Sequence, residues 1–210
     1  MEKNINLDNW KRKEHFNFFS KYDEPFWGVV TEIDCTKAYE NTKKHNQSFF
    51  LYYLHQSIIA INQIEEFCFR IKDGKVVCFD IINVATTIGR SDESFGYSFM
   101  EYKDDFEAFT NLAKKEISRI KNNSGLCLNE DSERVDVVHY STLPWTKFTG
   151  LTHARNFKKV DSIPKIVFGK YYNTSDGKKI MNVSLNAHHG LADGIHAAKF
   201  FDLFQKLMDN

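Results

Sequence analysis

An α+β fold with a largely antiparallel or mixed sheet is predicted, on three observations. Short apolar runs alternate in the manner of strands and are joined by Asp-Gly turns at 73–74 and 176–177. Several other stretches carry apolar residues at helical spacing. Hairpins and helices are mixed along the chain rather than segregated into an all-α or all-β order.

The elements follow in order. Residues 10–22 (WKRKEHFNFFSKY) read as a short helix and 26–33 as a strand. Asp34-Cys35-Thr36 offers helix caps for a polar helix reaching about Lys44. From Ser48 to about Ile64 the pattern is strongly apolar, with Phe49, Tyr52, Tyr53, Gln56, Ile59 and Ala60 spaced for a buried helix. Phe67, Phe69 and Ile71 alternate, Asp73-Gly74 turns, and 76–79 returns as the second arm of a hairpin. Strand-like runs at 83–88 and 94–102 precede an amphipathic helix over 104–121, whose apolar face is Phe106, Phe109, Leu112, Ala113, Ile117 and Ile120. Residues 135–140 form a strand leading into a Leu143-Pro144-Trp145 corner. Residues 165–172 are the next strand, Asp176-Gly177 turns it, and Met181, Val183, Leu185 and Ala187 alternate with polar neighbours. A terminal helix after Asp193-Gly194 carries Ala197, Phe200, Phe201, Phe204, Leu207 and Met208 on one face.

At 210 residues, with 3 scattered prolines and no Gly/Ser tract or internal repeat, the chain is expected to form one domain over 1–210. A hydrophobic content of 42% supplies a packed core, and the 19 phenylalanines suggest ring-walled cavities as well. Lys+Arg and Asp+Glu balance at 28 each, and lysines pair rather than form stripes, so nucleic acid is not an expected partner. No apolar signal region follows Met1, no run reaches membrane-spanning length, and Cys35, Cys68, Cys78 and Cys127 show no metal-like spacing. A cytoplasmic protein with reduced thiols, no membrane partner and no bound metal is the expectation.

The segment that carries chemistry is His188-His189-Gly190-Leu191-Ala192-Asp193-Gly194, set where an alternating strand ends and a helix begins. A histidine held there titrates near neutrality and can take a proton at cellular pH. The aspartate can fix the turn through a buried ion pair, and the glycines permit a sharp bend. The plainer reading is a core histidine pair with a helix-capping aspartate. Adjacent histidines on a strand point to opposite faces and cannot share one ion, so metal catalysis through the pair, or through His188 with His139 or His153, fits poorly. No GxSxG occurs, which disfavours a serine triad.

HHxxxDG resembles the signature of the CoA-dependent acyltransferases, and the fuller resemblance is to the chloramphenicol acetyltransferase family. Residues 10–16 (WKRKEHF) look like that family's WxRxEHF segment. Ile71-Lys72-Asp73-Gly74 with Phe79-Asp80, Leu143-Pro144-Trp145 and Phe168-Gly169-Lys170-Tyr171 match three further segments in order. The resemblance implies the α+β CoA-dependent acyltransferase fold and direct acetyl transfer from acetyl-CoA, a cosubstrate rather than a bound cofactor, to a small hydroxylated acceptor such as chloramphenicol. It implies His189 as general base, and Asp193 paired with Arg12 as structural support. It also implies a homotrimer with its active sites between subunits. Without the resemblance, Arg12 reads as a surface charge in a basic cluster.

Two positions depart from the family. Gly150 stands where the family has a serine that donates to the oxyanion, and Val167 where it has a threonine that helps hold a water. Loss of one oxyanion donor costs roughly 3–4 kcal/mol, on the order of a thousandfold in rate. The Gly150 N–H, a water or Thr152 are the candidate replacements; in an extended segment Thr152 faces the same side as Gly150. The alternative for Thr152 is an ordinary polar loop residue. Family residues after WxRxEHF line the acceptor pocket, which puts Phe18, Phe19 and Asp23 there. Against this stand two plainer readings, core packing for the phenylalanines and solvent exposure for Asp23. A carboxylate at that wall disfavours an apolar antibiotic and welcomes a cationic or polyhydroxylated acceptor. Three functions therefore stand: acetylation of chloramphenicol, acylation of another hydroxyl or amine, and a catalytically silent ligand-binding homologue.

Overall fold

The computed structural model describes residues 1–210. Its strands are β1 (Glu2–Asn4), β2 (Phe26–Asp34), β3 (Phe69–Lys72), β4 (Lys75–Phe79), β5 (Asn83–Gly89), β6 (Phe95–Met100), β7 (Val137–Leu143), β8 (Lys165–Asn173) and β9 (Lys179–His188). The helices are α1 (Lys13–Phe19), α2 (Thr36–Lys44), α3 (Phe49–Asn62), α4 (Phe106–Lys121) and α5 (Gly194–Met208). A small antiparallel sheet runs β1-β4-β3, and a six-stranded sheet runs β2-β9-β8-β7-β5-β6. In the larger sheet β5–β7 and β7–β8 are parallel and the other pairs antiparallel, so it is mixed. No helix is long and apolar enough to cross a membrane.

Local chemistry accounts for most boundaries. Ser48 caps α3 by accepting the Leu51 N–H, and Asp105 caps α4 by accepting that of Ala108. The β3–β4 turn places both Asp73 and Gly74 in the left-handed region, the demand of a tight hairpin that an Asp-Gly pair meets. Two expectations change. The first helix is shorter than 10–22. Before it, Asn6 caps a 3-10 turn over Leu7–Asn9 that ends in extended backbone at Trp10. After it, Pro25 disfavours helical backbone at Glu24, whose carboxylate accepts the Phe26 N–H. Strand β1 was not anticipated; its three polar residues have no apolar pattern and owe their form to pairing with β4.

Alternation divides the large sheet between two environments. Ile166 and Phe168 of β8 and Met181, Val183, Leu185 and Ala187 of β9 enter the main core with Leu54, Ile58 and Ile61 of α3 and Phe200 and Phe204 of α5. The opposite face is polar: Asn182, Ser184, Asn186 and His188 on β9 lie beside Lys165 and Val167 on β8 and His139 and Ser141 on β7. The 144–164 segment lies over part of this face, where Phe148 packs on Gly169. Strand β9 thus carries the core on one side and delivers the histidine pair at its end.

Candidate active site at the end of strand β9

The turn after β9 is built from backbone bonds that leave little freedom. His189 N–H donates to Pro25 O at 2.8 Å, extending the β2–β9 ladder past Phe26 and His188. The N–H groups of Leu191 and Ala192 both donate to His188 O, closing a tight bend. A Cβ at Gly190 would lie 3.1 Å from the His188 ring and from the Phe16 backbone, so any larger residue there would crowd both. Trp27 Nε1 donates to Ala192 O at 2.9 Å and ties the bend to β2.

Arg12 locks this bend from the amino-terminal segment. Its Nη1 donates to Asp193 Oδ2 at 2.8 Å and its Nη2 to His189 O at 3.0 Å, with the residue only 9% exposed. One planar guanidinium therefore holds both the aspartate and the main chain of the histidine. Asp193 is also the N-cap residue of α5, so the capping and ion-pair readings of its sequence position both hold. Burial pushes the Asp193 carboxyl up, but the Arg12 hydrogen bond and the charges of His196 and Arg12 outweigh it and hold it below the usual range.

His196 is a member of this network that the sequence reading did not identify. Its Nδ1 accepts the Asp193 N–H at 3.0 Å and lies 2.9 Å from Asp193 Oδ1, while Nε2 lies 3.2 Å from Glu66 Oε1. Burial lowers its pKa against the opposing pull of Glu66 and Asp193. Its place three residues after Asp193 is the capping-box position, where Glu or Gln is the usual signal and histidine is not.

The His189 ring stacks on Phe19, with centroids 4.0 Å apart and planes 4° from parallel, and Trp27 tilts against it at 5.5 Å. Nδ1 is buried and neither ring nitrogen bonds within the chain. A half-buried imidazole fixed between aromatic rings, its nitrogens unclaimed, can exchange a proton with a bound molecule. His188 faces the other way. It is 3% exposed, packs edge-on to Phe26, and has its pKa lowered to about 4 by burial first and the Arg155 charge second.

The residues singled out in the sequence divide into two groups. His189, Asp193, Arg12 and Phe19 come together. Phe18 is 56% exposed and touches Phe19 and Tyr22, so it is not core. Asp23 lines a cavity beside His188 rather than His189. Gly150 and Thr152 are exposed in the 144–164 segment, and nothing lies within 4 Å of where a Gly150 Cβ would stand. Phe148 packs on Gly169, beside Asn182 O on β9, and Asn182 lies six residues before His188, about 20 Å away along the strand. Val167 pairs with Ser184, roughly 13 Å from His188 on the same measure. No group of three or more His, Cys, Asp or Glu side chains is arranged to hold a metal ion.

Residues 2–205 match the profile of the family described as chloramphenicol acetyltransferase. A curated chloramphenicol acetyltransferase of Staphylococcus aureus is 31% identical over 208 residues, covering 98% of this chain and 94% of that protein. A solved chloramphenicol acetyltransferase superposes with a TM-score of 0.92 at 30% identity, over 99% of this chain and 100% of the other. The structure of a probable dihydrolipoamide acetyltransferase from Listeria monocytogenes gives a TM-score of 0.68 at 13% identity, over 100% of this chain and 94% of that one, a likeness of fold alone. The α+β architecture is that of the CoA-dependent acyltransferases, and the chain belongs to the chloramphenicol acetyltransferase family.

Proposed function

We propose that the protein transfers the acetyl group of acetyl-CoA directly to a hydroxyl of a small acceptor, with His189 as the general base. His189 removes the hydroxyl proton as the oxygen attacks the thioester carbonyl. The tetrahedral oxyanion then collapses, the C–S bond breaks, and the departing thiolate takes the proton back from the imidazolium. No acyl-enzyme forms. The observation that carries this reading is the Arg12 fork, which fixes Asp193 and the His189 carbonyl together while Phe19 and Trp27 hold the ring. An invariant ring position removes orientational entropy from the proton transfer.

The working form in this reading is a cytoplasmic homotrimer with its sites between subunits. Two observations support it: within one chain Val167 pairs with Ser184, five residues before His189 along the chain, and Phe95, Tyr97 and Trp145 are exposed. Acetylation of chloramphenicol by such an enzyme would confer resistance to that antibiotic. A second reading is favoured by one specific observation. Gly150 and Val167 supply no hydroxyl where the family places two, and Thr152 is exposed without a hydrogen bond in the chain. The same transfer to a different hydroxyl or amine, or a silent ligand-binding homologue, follows from that loss.

Thiol release from acetyl-CoA by the purified protein, with and without chloramphenicol and beside His189→Ala, separates these readings. Chloramphenicol-dependent release that His189→Ala abolishes while the protein stays folded supports the first. Full activity in His189→Ala would overturn the mechanism. Intact CoA binding without release moves the weight to another acceptor or a silent homologue.

A further inference from the structure

The bend that holds His189 is backed by a carboxylate from a distant part of the chain. Glu66 lies in a 3-10 turn over Glu65–Phe67, between α3 and β3, with its side chain 24% exposed. Its Oε1 is 3.2 Å from Nε2 of His196, whose own side chain is 9% exposed. The turn is anchored on α5, where the buried Phe67 meets Phe200 edge to face.

His196 Nδ1 lies between two groups of Asp193 that ask opposite things of it. The main-chain N–H of Asp193 is 3.0 Å away, and Oδ1, buried and without a donor, is 2.9 Å away. Which of them it serves depends on the tautomer. A ring protonated on Nε2 offers a bare Nδ1, which accepts the N–H and completes the capping box at the head of α5. A ring protonated on Nδ1 donates to Oδ1 instead, and the Asp193 N–H loses its acceptor. Burial above all, with the Arg12 and Lys199 charges, lowers the pKa of this ring, so at neutral pH it holds one proton. The Glu66 carboxylate is an acceptor only, and it therefore favours the proton on Nε2.

The choice carries to His189 through Arg12. Asp193 Oδ2 accepts Arg12 Nη1 at 2.8 Å, while Nη2 of the same fork holds the His189 carbonyl at 3.0 Å. A new donor at Oδ1 competes with the guanidinium for the carboxylate, and the fork loses its fixed bearing on His189. We propose that Glu66 is a positioning residue of the transfer site: by accepting the His196 Nε2–H it keeps Nδ1 bare for the Asp193 N–H and leaves the Asp193 carboxylate to Arg12. This rests on the general-base role of His189, where a displaced ring costs rate.

The test compares Glu66→Met with the unmutated protein and with Glu65→Gln, a change at the exposed neighbour in the same turn. Melting temperatures confirm that each variant folds. ¹⁵N NMR of the His196 ring and amide hydrogen exchange at Asp193 need no turnover. The Nε2–H form is expected in the unmutated protein and in Glu65→Gln, with a shift toward Nδ1–H and faster Asp193 exchange in Glu66→Met. In thiol-release assays, kcat of Glu66→Met is expected to fall by about tenfold to a hundredfold while KM stays within about twofold. Glu65→Gln is expected to match the unmutated protein. An Nδ1–H or doubly protonated ring in the unmutated protein would overturn the proposal, as would a tautomer and Asp193 exchange rate that Glu66→Met leaves unchanged. So would an undiminished kcat in a variant whose tautomer has shifted. If the unmutated protein releases no thiol with any acceptor, the transfer reading fails separately, and the tautomer and the exchange rate still decide the Glu66 link.

Discussion

At the scale of single residues, the site rests on few atoms with separable jobs. Asp193 and Arg12 satisfy each other in a partly buried setting, so removing one charge leaves the other desolvated and unpaired. Asp193→Asn is therefore expected to lower the unfolding midpoint together with acetyl transfer, whereas His189→Ala is expected to remove transfer while the midpoint stays near wild type. Thermal melts beside thiol-release assays distinguish the two; equal loss of stability in both variants would contradict this division of labour. Gly150 makes the opposite kind of prediction. Its backbone is not in the left-handed region and no atom lies within 4 Å of where a Cβ would stand, so a serine enters without strain. If transfer is limited by the missing oxyanion donor, Gly150→Ser is expected to raise kcat for chloramphenicol by roughly tenfold to a thousandfold. An unchanged kcat would mean that a backbone N–H, a water or Thr152 already fills that role.

At the scale of elements, much was legible because apolar periodicity and cap chemistry act locally. Asp34, in the Asp34-Cys35-Thr36 stretch read as offering caps, accepts the Thr36 N–H at the start of α2, Asp73-Gly74 makes the hairpin turn, and the alternation Met181-Val183-Leu185-Ala187 runs into the histidine pair as the pattern requires. The joining of Arg12 to Asp193 was legible only through family resemblance, since nothing in the composition of residues 10–16 points 181 residues ahead. His196 was missed because it fills a capping position with an uncommon residue type. Arg70 was missed for a related reason: in a short alternating strand it reads as an outward-facing charge. It is instead fully buried, donating to the carbonyls of Phe67, Phe69, Val135 and Val137 at 2.6–2.8 Å and so stapling β3 to the segment that enters β7. Burial pulls its pKa down to about 10, still well above neutrality, so it is a buried cation satisfied by carbonyl dipoles alone. Arg70→Ala strands those carbonyls and leaves a cavity, and a loss of about 3–5 kcal/mol in urea unfolding is expected. A loss below about 1 kcal/mol would mean that water replaces the guanidinium without penalty.

At the scale of the whole molecule, stability is coupled to pH through groups buried in the form that water would not choose. His188 is the clearest case. Burial first, and the Arg155 charge second, lower its pKa to about 4, against about 6.5 in an unfolded chain. Below pH 6.5 the unfolded chain therefore binds a proton that the folded one refuses. The contribution of this residue is fully present above pH 6.5 and is lost progressively as pH falls toward 4, with a slope of at most about 1.4 kcal/mol per pH unit. The carboxylates act in a lower window. Burial pushes Asp161 and Asp193 up, but Lys165 and Arg12 respectively outweigh it and keep both below the ordinary aspartate range. Their contribution is present above about pH 4 and is lost only below it, as pH falls through their folded values. Urea midpoints taken from pH 8 to pH 3 are therefore expected to be flat above pH 7, to decline between 6.5 and 4, and to steepen below 4. His188→Gln, which keeps a polar side chain without a titrating ring, is expected to flatten the middle stretch and leave the acid limb in place. If the decline between 6.5 and 4 survives unchanged in that variant, the proton is being refused elsewhere, and His55, His153 and His196, whose pKa values burial also lowers, become the groups to replace next.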